Sequence, residues 1–195
     1  MKKLICKLVL LSIILISVLS LFSCSQSTAI SVITDIPAGP AVLTIVKGNK
    51  IKTYTMSQLR ELPLFSGYAG QIDSDNNITG PNQYNGVTLD DLLNTVGGIT
   101  SRDSVKVINS DNYTKTLTYE QVTTGNFDLF SSSNGQETTA PVMVPKVFLA
   151  YEKDGNPLND GIGPLEFGIM TCQYRVTQES LWIKKVVRIE VIAAQ

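Results

Sequence analysis

Histidine is absent from this 195-residue chain. That removes the commonest metal ligand and the commonest general base at neutral pH. Cysteine is scarce: Cys6, Cys24 and Cys172 are the only three. Charge is sparse and balanced, with 17% charged residues and a formal net charge of −1, so no basic field favours nucleic acid. Tryptophan occurs once, as Trp182. No nucleophile–base pair is visible, because a Ser or Thr nucleophile without histidine needs a lysine partner that the sequence does not place. Against these absences stands a 43% hydrophobic content, enough for a core and too apolar for disorder. The length predicts one domain.

The one long apolar run is at the start. "MKKLICKLVLLSIILISVLSLFSC" places Lys2, Lys3 and Lys7 ahead of and just inside an uncharged stretch over residues 8–22. Alone, that stretch also reads as a marginal transmembrane anchor. The ending "LFSC" favours a secretory signal over residues 1–23, resembling a bacterial lipobox with Leu21 first, small Ser23 and Cys24 as the lipidated residue. The expectation is a lipid-anchored protein of the bacterial cell envelope, on the outer side of the cytoplasmic membrane or in the periplasm or outer membrane. Its partners are then the membrane, through the anchor, and a small molecule or envelope protein, with no nucleic acid. Losing residues 1–23 leaves 13 basic and 17 acidic residues, net −4. An acidic domain of this kind does not favour anionic lipid. With Cys6 removed and Cys24 lipidated, Cys172 has no partner for an intramolecular disulfide.

Residues 24–40 are rich in Ser, Thr, Ala and Pro and read as a flexible tether, stiffened by Pro37 and Pro40. The domain is expected over residues 41–195. "AVLTIVKGNKIKTYT" predicts a hairpin turning at Gly48-Asn49. "TMSQLREL" predicts a helical turn capped by Thr55 or Ser57 and stopped by Pro63. Two weak strands are expected around "DSDNN". In "YNGVTLDDLLNTVGG", Thr88 is a good N-cap, and Asp90 and Asp91 complement the dipole. Leu89, Leu92, Leu93 and Val96 form one stripe, and Gly97 supplies a left-handed end. "DSVKVINS" and "YTKTLT" read as strands joined by "SDN", and Thr118 as the cap of "YEQVTTG". "DLFSSSNGQETTAP" reads as a polar loop. A buried strand is expected over residues 147–151, then an Asp154-Gly155 turn, a glycine-rich loop and another strand. The last strand is expected to put Val187, Ile189 and Val191 on one face, and Arg188 and Glu190 on the other. Strands outnumber short helices, which makes the chain α+β.

Several of these segments, in this order, resemble the oxidoreductase molybdopterin-binding domain, the sulfite-oxidase-like family. They are "YTMSQLRELP", "YNGVTLDDLLNTVGG", "VKVINSDNYTKTLTYEQV", "VFLAYEKDGNPLNDGIGPLEF" and "WIKKVVRIEV", and they span residues 54–191. The resemblance implies a strand-dominated sulfite-oxidase-like molybdopterin-binding fold with short helices. It further implies a cofactor cleft near Tyr68, Tyr84, Asn85, Gly86, Asp111, Tyr113, Gly163 and Glu166, where Gly86 turns the chain from strand into helix. The architectural alternative is that Gly86 and Gly163 supply unusual backbone angles and Tyr113 is core.

The chain departs from that family's pattern. No cysteine precedes "YNGV" to place a soft thiolate on molybdenum. "SDNY" stands where the family usually has Asp-Gly-Tyr. Glu166 stands where it often has arginine, and a carboxylate repels a pterin phosphate. Three functions remain in view. One is a non-catalytic module binding a small ligand or partner. The second is a molybdopterin-dependent oxidoreductase with a non-cysteine ligand such as Tyr68 or Asp73. The third is a structural or adhesion module, whose sign is the lack of a concave pocket at the junction of "YNGV", "SDNY" and "GPLEF". "DSDNN" weakly resembles a calcium loop, but Ile78 and Tyr84 occupy its sixth and twelfth positions. It reads instead as a solvated turn. Cys172 and Trp182 read as packing residues.

Overall fold

The computed structural model describes residues 39–138 and 143–194. The expected signal over 1–23, Cys24 and all but the end of the 24–40 tether lie outside the described residues. Among the described residues, no helix is long and apolar enough to cross a membrane.

The hairpin forms as expected. β1 (Leu43–Lys47) pairs antiparallel with β2 (Lys50–Tyr54), and the Lys47–Lys50 register leaves Gly48-Asn49 as the turn. Helix α1 (Met56–Arg60) follows, closed by a capping box in which Thr55 and Gln58 satisfy each other's backbone N–H. β3 (Phe65–Ile72) and β4 (Ile78–Thr88) form the long hairpin around "DSDNN". Helix α2 (Leu89–Asn94) starts at the Thr88 cap and buries Leu89, Leu92 and Leu93. β5 (Asp103–Asn109), β6 (Thr114–Thr118) and α3 (Tyr119–Thr124) come next, with Thr118 and Gln121 forming a second capping box.

"DLFSSSNGQETT" is more ordered than a polar loop. It contains β7 (Leu129–Ser131) and β8 (Glu137–Thr138), paired antiparallel. Its signal is weak because Leu129 is its one buried residue among the described residues. β9 (Lys146–Lys153) is the buried strand expected, and Val147 through Tyr151 are all buried. The short β10 (Asn156–Pro157) turns back on it. β11 (Glu166–Met170), β12 (Arg175–Gln178), a 3-10 turn at Glu179–Leu181, β13 (Ile183–Lys184) and β14 (Val186–Ala193) complete the chain.

These strands form two sheets. One runs β2-β1-β14-β5-β6; the other runs β13-β11-β9-β4-β3-β12-β7-β8, with β10 on β9. A single buried cluster takes Leu43, Ile45, Val105, Val107 and Ile189 from the first sheet and Val87, Phe148, Leu149 and Phe167 from the second. The α2 leucines close it. The domain is thus α+β and strand-dominated, as expected.

The last strand differs in phase. Val186 and Ile189 are fully buried, but Val187 is 39% exposed. The β14–β5 register slips between Val186 and Arg188, so Val187 is an extra residue in the ladder. A bulge resets the two-residue alternation, which no reading of period two detects.

Gly86 has a negative φ, so an unusual backbone angle is not its reason. It lies in β4 opposite Ala150, where a Cβ would run into the Leu149 carbonyl oxygen and stand 2.9 Å from the Ala150 Cα. Both atoms are backbone of the buried β9, which has nowhere to move. Gly86→Ala is expected to destabilise the fold by about 2–3 kcal/mol. Urea denaturation would measure this, and an unchanged midpoint would refute the close-approach reason.

Candidate functional site

A concavity lies where four chain segments meet. The β3–β4 turn supplies Ile72, Asp73, Ser74 and Asn76; β7 supplies Phe130; the β5–β6 turn supplies Tyr113. The segment after β12 supplies Gln178, Glu179, Ser180 and Trp182. This lobe encloses about 710 Å³. A second lobe of about 330 Å³ shares Tyr113, Glu179 and Trp182, and adds Gln71, Asn109, Asp111, Lys184 and Lys185 among its walls.

Each wall is held by identifiable bonds. In the β3–β4 turn, the Asp73 carboxylate accepts from the backbone N–H groups of Asp75 and Asn77 and from the Asn77 side-chain amide. Those donors favour the charged form and hold Asp73 below the usual carboxylate range. The turn is closed on itself, which agrees with a solvated turn. In the β5–β6 turn, the Asn109 side-chain oxygen accepts from the Asp111 and Tyr113 N–H groups, and Asn112 takes a positive φ of 63°. The Ser110 N–H donates to the Lys185 carbonyl, which ties this turn to the β13–β14 junction.

Trp182 is the shared wall. Its N–H donates to the Thr177 hydroxyl at 3.1 Å, and its ring packs 5.7 Å from Tyr84 and 6.2 Å from Phe148. Gly168 makes room for it, since a Cβ there would stand 2.6 Å from the indole. Trp182 is therefore core, as expected, and at 8% exposure it still reaches both lobes.

Glu166, at the start of β11, is only 3% exposed. One of its oxygens, Oε2, is buried with no hydrogen-bond partner. Burial pushes its carboxyl up to about 7, against the opposing pull of Lys184 and Lys153. Lys184 sits directly across the β11–β13 ladder from it. Tyr84 is raised far above its ordinary value, first by burial and then by the charges of Glu166 and Asp154. Lys153 lies 5.6 Å from the Tyr84 ring centroid.

The eight residues expected around one cleft are divided. Asp111 and Tyr113 line the concavity. Tyr113 is 54% exposed, so it is not core. Tyr84 packs beside Trp182 and feels the charge of Glu166, and neither Tyr84 nor Glu166 lines either lobe. Asn85 follows Tyr84 on a strand and so points to the opposite face. There it accepts a hydrogen bond from Ser66 and donates to Glu152. Gly86 packs on β9. Gly163 has a negative φ and serves a close approach to Leu158. Tyr68, half-buried on β3, bridges Thr171 and lines neither lobe. Sequence reasoning missed Glu179, Lys184 and Lys185 as cleft residues. Their only signal was nearness to Trp182.

Cys172 is half-buried and unpaired. It lines neither lobe. Among the described residues, no group of three or more Cys, Asp or Glu is arranged to hold a metal ion.

No family model matches the chain, and no curated protein matches it. Among solved structures, it is similar to the sulfane dehydrogenase SoxCD from Paracoccus pantotrophus. The TM-score is 0.52 at 16% identity, covering 76% of this chain and 37% of that one. The chain thus spans little more than a third of that protein's length. The likeness supports a distant molybdopterin-domain-like, sulfite-oxidase-like fold.

Glu166 carries a pH dependence whose sign follows from its raised value. The folded state holds the proton more tightly than the unfolded chain does. Stability is therefore full below about pH 4.5 and is lost as pH rises through about 7. The loss is on the order of 3 kcal/mol. Glu166→Gln, which mimics the neutral acid, is expected to remove this component. Urea midpoints from pH 4.5 to 8.5 measure it, and parallel curves for the two proteins would refute the assignment.

Proposed function

We propose that this chain is a binding module of the bacterial cell envelope, anchored through Cys24, that uses the two-lobed cleft to hold a small ligand or a segment of a partner. Its distant molybdopterin-domain-like fold serves as a scaffold. The carrying observation is the donor set of the cleft. It offers carboxylates, amides, hydroxyls, aromatic rings and two lysines, and among the described residues no thiolate, imidazole or guanidinium lines it. A concavity of about 710 Å³ is of the size that holds small molecules. The concavity takes Asp111 and Tyr113 from "SDNY" but no residue of "YNGV" or "GPLEF", so it supports binding at a place other than the junction of those three segments.

The residues present do not fit a molybdenum cofactor. Soft thiolate suits such a metal, and Cys172 stands away from both lobes. Of the two substitute ligands, Tyr68 lines neither lobe, and the Asp73 carboxylate is already engaged by three donors of its own turn. Asp73, Asp111 and Glu179 oppose the anionic phosphate of a pterin cofactor, and arginine is missing from both lobes. The oxidoreductase reading keeps only the likeness of fold in its favour. A fold hosts many activities, so that likeness does not carry function.

The test is the molybdenum and tungsten content of the tagged protein purified without oxygen from its native host, with released pterin fluorescence read on the same sample. Neither metal nor pterin is expected, in a folded sample from a host that makes the cofactor. Near-stoichiometric metal with pterin would overturn the proposal.

A further inference from the structure

We infer that the larger lobe of the cleft is built for an organic cation, an ammonium or quaternary ammonium group carried on a small apolar or hydroxylated body. The inference rests on the binding role proposed above and names the class of ligand.

Three observations carry it. The first is charge. Asp73 and Glu179 both line the lobe, and among the described residues no lysine or arginine lines it. Neither carboxylate belongs to an ion pair among the described residues. An anion entering the lobe meets only like charge, whereas a cation is attracted by both groups. The hydrogen bonds that Asp73 accepts from its own turn favour its charged form, so that charge persists below the usual carboxylate range.

The second is aromatic surface. Tyr113, Phe130 and Trp182 contribute to the same lobe. Tyr113 leaves 54% of its surface exposed while its backbone is fixed by Asn109, so the ring is displayed from a closed turn. Ring faces attract cations through their quadrupole, and a weakly hydrated alkylammonium loses little solvation in reaching them. Carboxylates and aromatic rings in one concavity reinforce each other only for a positive ligand.

The third is the neighbouring lobe. There Lys184 and Lys185 share the wall with Asp111 and Glu179. Charge is balanced on that side and negative on the other. The gradient along the cleft holds a cation at the Asp73 end and disfavours the reverse orientation. A neutral sugar would find hydrogen-bonding groups in Asn76, Gln178 and the serines, but nothing in the gradient would orient it.

The experiment uses the full chain in mild detergent and the fluorescence of Trp182, the chain's one tryptophan and a wall of the lobe. The probes are choline, its uncharged isostere 3,3-dimethyl-1-butanol, and glucose. A saturable change with choline is expected, with the isostere weaker by at least about tenfold. Glu179 is exposed, so Glu179→Gln should keep the wild-type melting temperature while weakening choline by about five- to tenfold. Tyr113→Ala should weaken choline as well. Equal responses to choline and the isostere would overturn the inference. Saturation by glucose with none by choline would overturn it too, and would leave the cleft as a binding site for another class of ligand. No response to any probe up to high millimolar concentration would also overturn it. The binding role itself is decided separately by the metal and pterin content.

Discussion

The indole of Trp182 rests on Gly168, beside Tyr84 and Phe148, and its N–H is satisfied by Thr177. Four strands or strand ends converge on that one side chain: β4, β9, β11 and β12. The segment that follows β12 has to return close to the sheet to place it, which brings Glu179 and Lys184 to the rim of the concavity. Burying so large a ring contributes several kcal/mol of apolar stabilisation, and truncating it costs about 3–5 kcal/mol. The cleft wall is therefore part of the core. A ligand site framed by a core residue is pre-organised, since its shape is fixed by packing that the whole fold maintains.

The same packing explains the unusual carboxyl of Glu166. Glu166 begins β11, a strand whose five residues are all buried. Its side chain is almost wholly buried, and one oxygen lacks a partner. Burial of such a group costs stability unless it takes up a proton. In this chain Lys184 and Lys153 oppose that protonation from opposite sides, through β13 and β9. Glu166 is thus turned into the interior. It lines neither lobe, and the acidic character of the cleft itself comes from Asp73, Asp111 and Glu179.

The likeness to a sulfane dehydrogenase and the composition of the cleft point in different directions. The backbone path over three quarters of the chain resembles a redox protein's. Backbone paths are maintained by burial patterns, turns and glycine contacts such as Gly86 on β9, and these tolerate wide change on the surface. Chemistry depends on a few side chains, and among the described residues no thiolate, imidazole or guanidinium lines the concavity.

Local physics made most elements readable in advance. Thr55, Thr88 and Thr118 cap the three short helices because a hydroxyl accepting an N–H two or three residues on is a short-range device. Gly48-Asn49 turns a hairpin, and an unbroken apolar run marks β9 as buried on both faces. Two errors have one cause. The bulge at Val187 and the pairing of β7 with β8 are properties of a partner strand, and a single stretch of sequence carries no record of its partner. The candidate site shows the same limit. The sequence by itself determined most elements and the lack of histidine, and it singled out the Asp111–Tyr113 turn, which lines the concavity. Only the tertiary structure separated Tyr84 from Asn85, drew Glu166 inward and set Glu179, Lys184 and Lys185 around Trp182. The reason is that a side chain's environment is decided by residues distant in the chain, and those meet only when the sheets close on one core.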